Sequence, residues 1–235
     1  MMRLDKFLNN LGKGSRKEVK EYIKKGLVKV NDNIVKSSDF KIDENSDYVY
    51  LDNELLMYEE FVYLMLNKPA GVVSATFDNK DKTVLDLIQE YKHMNLFPFG
   101  RLDKDSEGLL IISNDGKLAH ELLSPKKHVD KKYFVIVEGK VNSQDIETFE
   151  KGIILDENEK CKSATLEIIE SDNVSKCYVT ISEGKFHQVK RMFESVNKKV
   201  IYLKRITFGN ISLDENLKLG EYRKLSKEEI EKLKN

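Results

Sequence analysis

The sequence predicts an α+β protein: a small α/β head followed by a larger domain built on a mixed, largely antiparallel sheet with flanking helices. Three observations support this prediction. Residues 1–48 show two helical patterns and then a short hairpin, residues 49–60 are acidic and predict a linker, and residues 61–235 intersperse apolar strand patterns with helical ones. A chain of 235 residues is long enough for one small and one large domain.

The first domain is predicted to start with two helices. Apolar residues recur at helical spacing in the first of them, at Leu4, Phe7, Leu8 and Leu11. Ser15 and Glu18 match a capping box at the start of the second helix, and Gly26 is a natural end for it. Short strands on both sides of residues 31–33 predict a hairpin.

Basic residues concentrate in this first domain. Residues 1–41 hold 11 Lys or Arg against 5 Asp or Glu, whereas residues 42–60 hold 7 acidic residues and no basic one, although the whole chain has a net charge of zero. The basic positions that we expect to face a nucleic acid are Arg3, Arg16, Lys17, Lys20 and Lys24. A solvated helix face that happens to be basic would give the same pattern.

An apolar strand at 61–66 opens the second domain and leads into Lys68, just before a turn at Pro69 and Gly71. A cation at the end of a buried strand is expected to face a ligand, although a Lys68 that faces solvent is the alternative. Thr83 can cap a short helix that follows.

The rest of the second domain alternates between the two types of element. Asp115-Gly116 can be a turn before a helix near 118–123, which Ser124-Pro125 would end, or the turn of a hairpin, and the helix fits better. The other predicted elements are a strand at 109–112, a strand at 133–137, a helix at 145–149, strands at 164–170 and 177–182, a helix after 188, a strand at 200–208 and a helix near 226–233.

A polar loop bounded by Gly100 and Gly108 is the most informative stretch. Only 6 of the 40 basic residues are Arg, so Arg101, two residues before Asp103, is notable because its planar group of donors can recognise a ligand. Taken alone, Asp103 and Asp105 could simply shape a turn.

Two further segments carry chemistry-bearing residues. A basic loop at 126–132 delivers Tyr133 to the start of its predicted strand, where the phenol could face a ligand or lie in the core. Downstream, Lys190 and Arg191 fall in the first turns of a helix, a position suited to holding anions.

Several classes of site are not expected. The four His and two Cys residues are scattered without metal-ligand spacing, and we find no phosphate-binding loop, so the sequence predicts neither a metal site nor a cofactor. The N-terminus lacks the apolar core of a secretory signal, no run is long enough to span a membrane, and two Cys fit a reducing compartment. We therefore expect a cytoplasmic protein.

Residues 2–48 resemble the small RNA-binding domain named after the S-four ribosomal protein. The matching features are the first helix, the motif G-x-x-S-R, the basic second helix that ends at a glycine, and V-x-V-N-D-x-x-V. In that family the second helix and the hairpin face structured RNA, so the resemblance implies the same role for the basic residues named above.

Four motifs resemble those of the pseudouridine synthases, in order and spacing, and more narrowly those of the RsuA-type branch. They are K-P-x-G, G-R-L-D-x-D-S-x-G-L-L, K-K-Y and E-G-x-x-H-Q-V-K-R-M, followed by the closing G-E-Y-R-x-L. The resemblance implies that Asp103 is the nucleophile, Tyr133 the active-site tyrosine and Lys190 the basic partner of Asp103. Much of the superfamily has Arg at that last position, so Arg191 stays an alternative partner.

The resemblance also implies substrate-binding positions, at Lys68, Arg101, His187, Gln188 and Arg191. Converting uridine to pseudouridine breaks the bond between uracil nitrogen and ribose and rejoins the base through carbon, without redox change, so no cofactor is expected. The carboxylate could attack the uracil ring or the anomeric carbon, or assist formation of a glycal, and the sequence leaves these open.

The RsuA-type branch modifies ribosomal RNA, and the resemblance favours 16S rRNA of the small subunit, in a ribosome-assembly intermediate, by a monomer. Two alternatives remain open in the sequence. One is a pseudouridine synthase that acts on large-subunit rRNA, and the other is a non-catalytic RNA-binding ribosome-assembly factor, which would explain the basic domain but not the four motifs.

Overall fold

The computed structural model describes residues 1–124, 127–156 and 159–235. It divides into two compact units. The first contains residues 1–61 together with 90–95, and the second contains residues 62–89 and 96–235. Pro125 and Lys126, which belong to the predicted helix end and basic loop, lie outside the described residues.

The helices of the first unit follow the sequence prediction. Helix α1 spans Leu4–Asn10 and helix α2 spans Arg16–Lys24. Both bonds of the predicted capping box are present: the Ser15 side chain accepts from the Glu18 amide, and the Glu18 carboxylate accepts from the Ser15 amide at 2.7 Å. This reciprocal pairing satisfies two amides that the helix itself leaves without acceptors.

The sheet of the first unit extends further than the sequence predicted. The strands are β1 (Met2–Arg3), β2 (Val28–Val30), β3 (Asn33–Ile34), β4 (Lys41–Ile42), β5 (Val49–Leu51) and β6 (Glu54–Leu56). Strand β1 pairs with β4, and the other four form one antiparallel sheet in the order β3-β2-β5-β6. The hairpin between β2 and β3 turns at Asn31 and Asp32, both at positive φ, as its turn type requires.

Residues 49–60, predicted to be a linker, therefore include a hairpin of the first unit. Val49 and Leu56 are buried in its core, and β5 pairs directly with β2. The prediction was misled by charge, because the acidic residues Asp52 and Glu54 are exposed at the hairpin turn while the alternating apolar residues point inward.

Strands of the second unit, with one small ribbon, follow in chain order. They are β7 (Tyr63–Lys68), β8 (Phe97–Pro98), β9 (Glu107–Ser113), β10 (Lys131–Glu138), β11 (Ile154–Asp156), β12 (Glu159–Lys160), β13 (Thr165–Glu170), β14 (Val174–Ile181), β15 (Lys199–Phe208), β16 (Ile211–Ser212) and β17 (Tyr222–Lys224). The main sheet runs β13-β14-β10-β15-β9-β7-β17, with β16 beside β15 and β8 beside β9, while β11 pairs with β12. Its described pairs are antiparallel except β15 with β9, which confirms the predicted mixed, largely antiparallel sheet.

The helices of the second unit also match their predictions. They are a 3-10 helix (Val84–Leu87), α3 (Gly116–Leu123), α4 (Ser143–Lys151), α5 (Gln188–Ser195) and α6 (Lys227–Lys234). Asp115 caps α3 by accepting from the Leu118 amide, so this segment is a helix and not the alternative hairpin. None of the helices in the described residues is both long and apolar enough to cross a membrane.

The single parallel pairing places the polar loop at 100–106 at the centre of the sheet. Gly108 lies opposite Arg205 where β9 meets β15. A Cβ at Gly108 would stand 2.2 Å from the Arg205 carbonyl oxygen, and φ is +102°, so only glycine fits. Tyr133 is the third residue of β10, whose strand begins at Lys131 and not at Tyr133 as predicted, and it also lies opposite Arg205.

Candidate active site

A cavity of about 820 Å³ opens in the second unit above the centre of its sheet. Its walls come from the polar loop at 100–106, from β10 and β15, and from the segment 181–189 that leads into α5. Five of the predicted site residues line it: Arg101, Asp103, Tyr133, His187 and Gln188. The folding of four separated segments around one cavity is what brings these residues together.

The polar loop is fastened to the sheet by a buried lysine. Lys68 is 0% exposed at the end of β7, and its ammonium donates to the backbone carbonyls of Ser106 at 2.7 Å and of Asp103 at 3.0 Å, with Pro69 at 3.0 Å and Lys104 at 3.4 Å. Burial lowers the pKa of Lys68 to about 8, so most of it is still protonated at neutral pH.

Lys68 therefore differs from the prediction that it binds substrate. Its ammonium is saturated by backbone acceptors and does not line the cavity. The sequence correctly predicted that a cation at this strand end faces something specific, but the partner is the loop that carries Asp103. Ser74 adds a second fastening, since its hydroxyl donates to the Leu102 carbonyl at 2.8 Å and accepts from the Leu102 amide at 3.0 Å.

Lys190 joins the two carboxylates of the loop. Its ammonium lies 3.0 Å from Asp103 Oδ2 and 2.6 Å from Asp105 Oδ1. Burial alone would lower the pKa of Lys190, but the hydrogen bonds and charges of the two aspartates outweigh it and raise that pKa above its ordinary value. Lys190 is thus held protonated as the cation beside Asp103.

The two aspartates differ in exposure. The Asp103 side chain is 26% exposed and lines the cavity, whereas the Asp105 side chain is 74% exposed and lies outside it. Burial tends to raise the pKa of Asp105, but its contacts with Lys190 prevail and lower it. Asp103 is the carboxylate that a molecule in the cavity would meet.

Arg191 is turned away from Asp103. Its guanidinium lies 2.7 Å from the carboxylate of Glu159 and donates to the Phe186 carbonyl at 3.2 Å. Lys190, not Arg191, is thus the partner of Asp103 in this structure. Arg191 does not line the cavity either, in contrast to its predicted contact with substrate.

Gln188 and His187 begin α5 at the mouth of the cavity. Gln188 is buried, and its amide group is occupied by the Lys185 amide and by Glu183, each at 2.9 Å, so it braces the loop instead of presenting polar atoms for substrate. His187 is half-exposed, and its Nε2 lies 3.6 Å from Asp103 Oδ1.

Three further side chains complete the cavity wall. Tyr133 is 7% exposed, and Arg101 is exposed without an ion pair or hydrogen bond among the described residues. Arg205, which the sequence analysis did not single out, is 2% exposed: its Nε donates to the Leu109 carbonyl at 2.7 Å, and its Nη2 has no acceptor in the described part of the chain. Its position among the six Arg residues is the one signal that could have identified it.

In the first unit, α2 presents a row of free cations. Arg16, Lys17, Lys20 and Lys24 are exposed and form no ion pair among the described residues, while Val19 and Ile23 are buried on the other face. Arg3 is different, because its guanidinium is held by the Asp5 carboxylate at 2.8 and 3.0 Å.

The described residues contain no group of three His, Cys, Asp or Glu side chains placed to hold a metal ion. The chemistry that the cavity can offer comes from an anionic nucleophile or base at Asp103, a cation at Lys190, and a phenol at Tyr133.

Comparison with known proteins gives consistent results for both units. Residues 62–195 match the family model described as RNA pseudouridylate synthase, and residues 2–47 match the S4 domain. An uncharacterized RNA pseudouridine synthase of Bacillus subtilis, YtzG, is 47% identical over 231 residues, 97% of each chain. The ribosomal small subunit pseudouridine synthase A of Escherichia coli is 40% identical over 230 residues, 97% of this chain and 98% of that one. A crystal structure of a pseudouridylate synthase superimposes with a TM-score of 0.70 at 39% identity, covering 99% of this chain and 100% of that one.

Proposed function

The chain belongs to the RNA pseudouridine synthase family, and from this premise we propose that it isomerises one uridine of small-subunit 16S ribosomal RNA to pseudouridine, with Asp103 as the nucleophile. The observation that carries the assignment of the site is the Lys190–Asp103 ion pair at the wall of the cavity. The choice of RNA is supported by relatives named ribosomal small subunit pseudouridine synthase A that match nearly the whole chain.

The reaction suits these three side chains. The bond between N1 of uracil and C1′ of ribose breaks, the base turns, a bond forms between C5 and C1′, and the proton on C5 is replaced by one on N1. An ionised Asp103 assists departure of the base, by attack on the ring or on C1′ or by removing a ribose proton, and Lys190 stabilises that carboxylate as an anion. Tyr133 packs against the base and moves a proton. Since atoms only exchange places, the proposal includes no cofactor.

Reaching this cavity requires the uridine to leave its stack. Unstacking and unpairing cost a few kcal/mol, which phosphate contacts to basic surfaces offset. The free cations of α2 are suited to this task, because structured RNA is read largely through its backbone and its shape. The proposal places this step in the cytoplasm, on an assembly intermediate of the small subunit, with the enzyme acting as a monomer.

Mapping of modified uridines tests the proposal. Pseudouridine would be mapped chemically in 16S and large-subunit rRNA from cells with and without the gene, and tritium release from uridine-labelled rRNA would be measured with the purified protein. We expect one 16S position to lose its modification and the protein to restore it. Loss of a large-subunit position would refute the choice of RNA, and an absence of tritium release from any rRNA would favour a non-catalytic assembly factor.

Charge reversal on α2 is expected to weaken RNA binding. Replacing Lys17, Lys20 and Lys24 by Glu should lower affinity for 16S rRNA fragments about 10- to 1000-fold and make binding less dependent on salt by about three counterions, because phosphate contacts are lost. Filter binding at several salt concentrations measures both quantities. Substitution is preferable to deletion of residues 1–41, since deletion would remove the strand partner of β5.

A matched control makes the same change of net charge elsewhere. Lys140, Lys227 and Lys232 are exposed residues of the second unit without an ion pair among the described residues. Their replacement by Glu should alter affinity far less than the change on α2. An equal loss in both variants would show that only overall charge matters and would remove the docking role from α2.

A further inference from the structure

Two aromatic rings are stacked in the open at the mouth of the cavity. The rings of Phe186 and His187 lie with centroids 3.8 Å apart and planes at 18°, and we call this pair the aromatic platform. Phe186 is 76% exposed, and both residues line the cavity. An apolar ring of this size is normally buried, so its exposure beside the candidate site needs a reason.

The platform is held in place by its surroundings. His187 adopts a left-handed backbone conformation, φ +48°, which is unfavourable for a residue with a Cβ. The Phe186 carbonyl accepts from Arg191, which is fixed by Glu159, and Gln188 braces the amide of Lys185. The loop that carries the platform is therefore tied on both sides, although the Phe186 ring itself gains little burial from this arrangement.

The platform adjoins the proposed nucleophile. His187 Nε2 lies 3.6 Å from Asp103 Oδ1, and Lys190, one turn into α5, contacts the same carboxylate. A strand that delivers one base to Asp103 must therefore pass its next nucleotide close to these rings. Flat, exposed aromatic faces next to cations are the surfaces on which proteins stack unpaired bases.

We propose that the aromatic platform of Phe186 and His187 stacks the base next to the target uridine and so holds the RNA strand open while that uridine occupies the cavity. This inference rests on the proposed function, because it requires the target base to lie at Asp103. The ring faces are flat, apolar and uncovered, which fits a nucleobase, and a base stacked there would replace the neighbour that the flipped uridine leaves behind.

A fluorescent base tests the proposal directly. Hairpins that contain the uridine mapped in the previous experiment would carry 2-aminopurine on its 5′ or its 3′ side, and the fluorescence of each would be followed as the full-length enzyme binds. We expect one of the two positions to be quenched by stacking in the wild type. Phe186→Leu should relieve that quenching and raise KM about tenfold with little change in kcat at saturation, whereas Phe186→Tyr should behave as the wild type.

Phe77→Leu is the matched control, because Phe77 is 75% exposed in the same unit but does not line the cavity. It should leave quenching and KM unchanged, and thermal unfolding should be the same for both Leu variants. Turnover without quenching at either position, or quenching that survives Phe186→Leu, would overturn the platform while leaving the proposed function intact. An enzyme that turns over no rRNA would overturn both.

Discussion

Asn in place of Asp103 is expected to lower the rate of pseudouridine formation by more than about 10⁴-fold, because loss of a nucleophile removes the step on which the reaction depends. Asn has nearly the shape of Asp and can still accept a hydrogen bond from Lys190, but it carries no negative charge at any pH. RNA affinity should stay within about threefold of the wild type, since the amide still fits the wall of the cavity. Single-turnover tritium release and filter binding measure the two quantities.

Asp105→Asn is the control for this variant. It removes a carboxylate of the same loop that contacts the same Lys190 at 2.6 Å, but the Asp105 side chain is 74% exposed and lies outside the cavity. We expect its rate to fall less than about tenfold, which corresponds to a change in activation free energy below about 1.4 kcal/mol. Comparable losses in the two variants, or an active Asp103→Asn enzyme, would remove Asp103 from the role of nucleophile.

Lys68→Met is expected to destabilise the second unit and to inactivate the enzyme without touching the cavity. Met fills similar space but leaves several backbone carbonyls of the polar loop without a donor, and each buried unsatisfied group costs about 1–3 kcal/mol. We expect a loss of roughly 2–5 kcal/mol in free energy of unfolding and a fall in Tm of about 5–15 °C. Activity should drop well below the wild type even at temperatures where the variant is folded, because Asp103 is no longer held in position.

Calorimetry and single-turnover kinetics at low temperature separate the two effects. Lys117→Met is the stability control, since Lys117 is exposed in the same unit and has no ion pair among the described residues. Its Tm should shift by less than about 2 °C, as surface substitutions usually do. A Lys68→Met variant that unfolds like the wild type would contradict the anchoring role, and a stable variant with altered KM only would restore Lys68 as a substrate contact.

Much of the fold was predictable because the signals were local. A capping box such as Ser15 with Glu18, or an N-cap such as Asp115, acts within four residues, and buried strands such as Tyr63–Lys68 announce themselves by composition. The segment 49–60 was misread because net charge describes what is exposed, whereas strand pairing is decided by the few apolar residues that alternate with the charges.

The candidate site divides in the same way. The motifs predicted that Asp103, Tyr133 and Lys190 belong together, and the structure places Asp103 and Tyr133 on one cavity wall with Lys190 bonded to Asp103. The sequence could not choose between Lys190 and Arg191. Successive residues of a helix point about 100° apart, so the choice depends on how α5 docks against the sheet, and that docking depends on residues distant in the chain.

The sequence by itself determined the family, the order of the elements and the loop that carries Asp103, since each of these depends on residue types at short, fixed spacing. Only the tertiary structure decided which polar groups serve the fold and which face the cavity. It assigned Lys68 and Gln188 to holding loops, brought Arg205 into the cavity wall, and left the rings of Phe186 and His187 exposed. The physical reason is that a polar side chain acts on whatever acceptor or charge lies within about 3 Å of it, and those neighbours are set by contacts between distant segments.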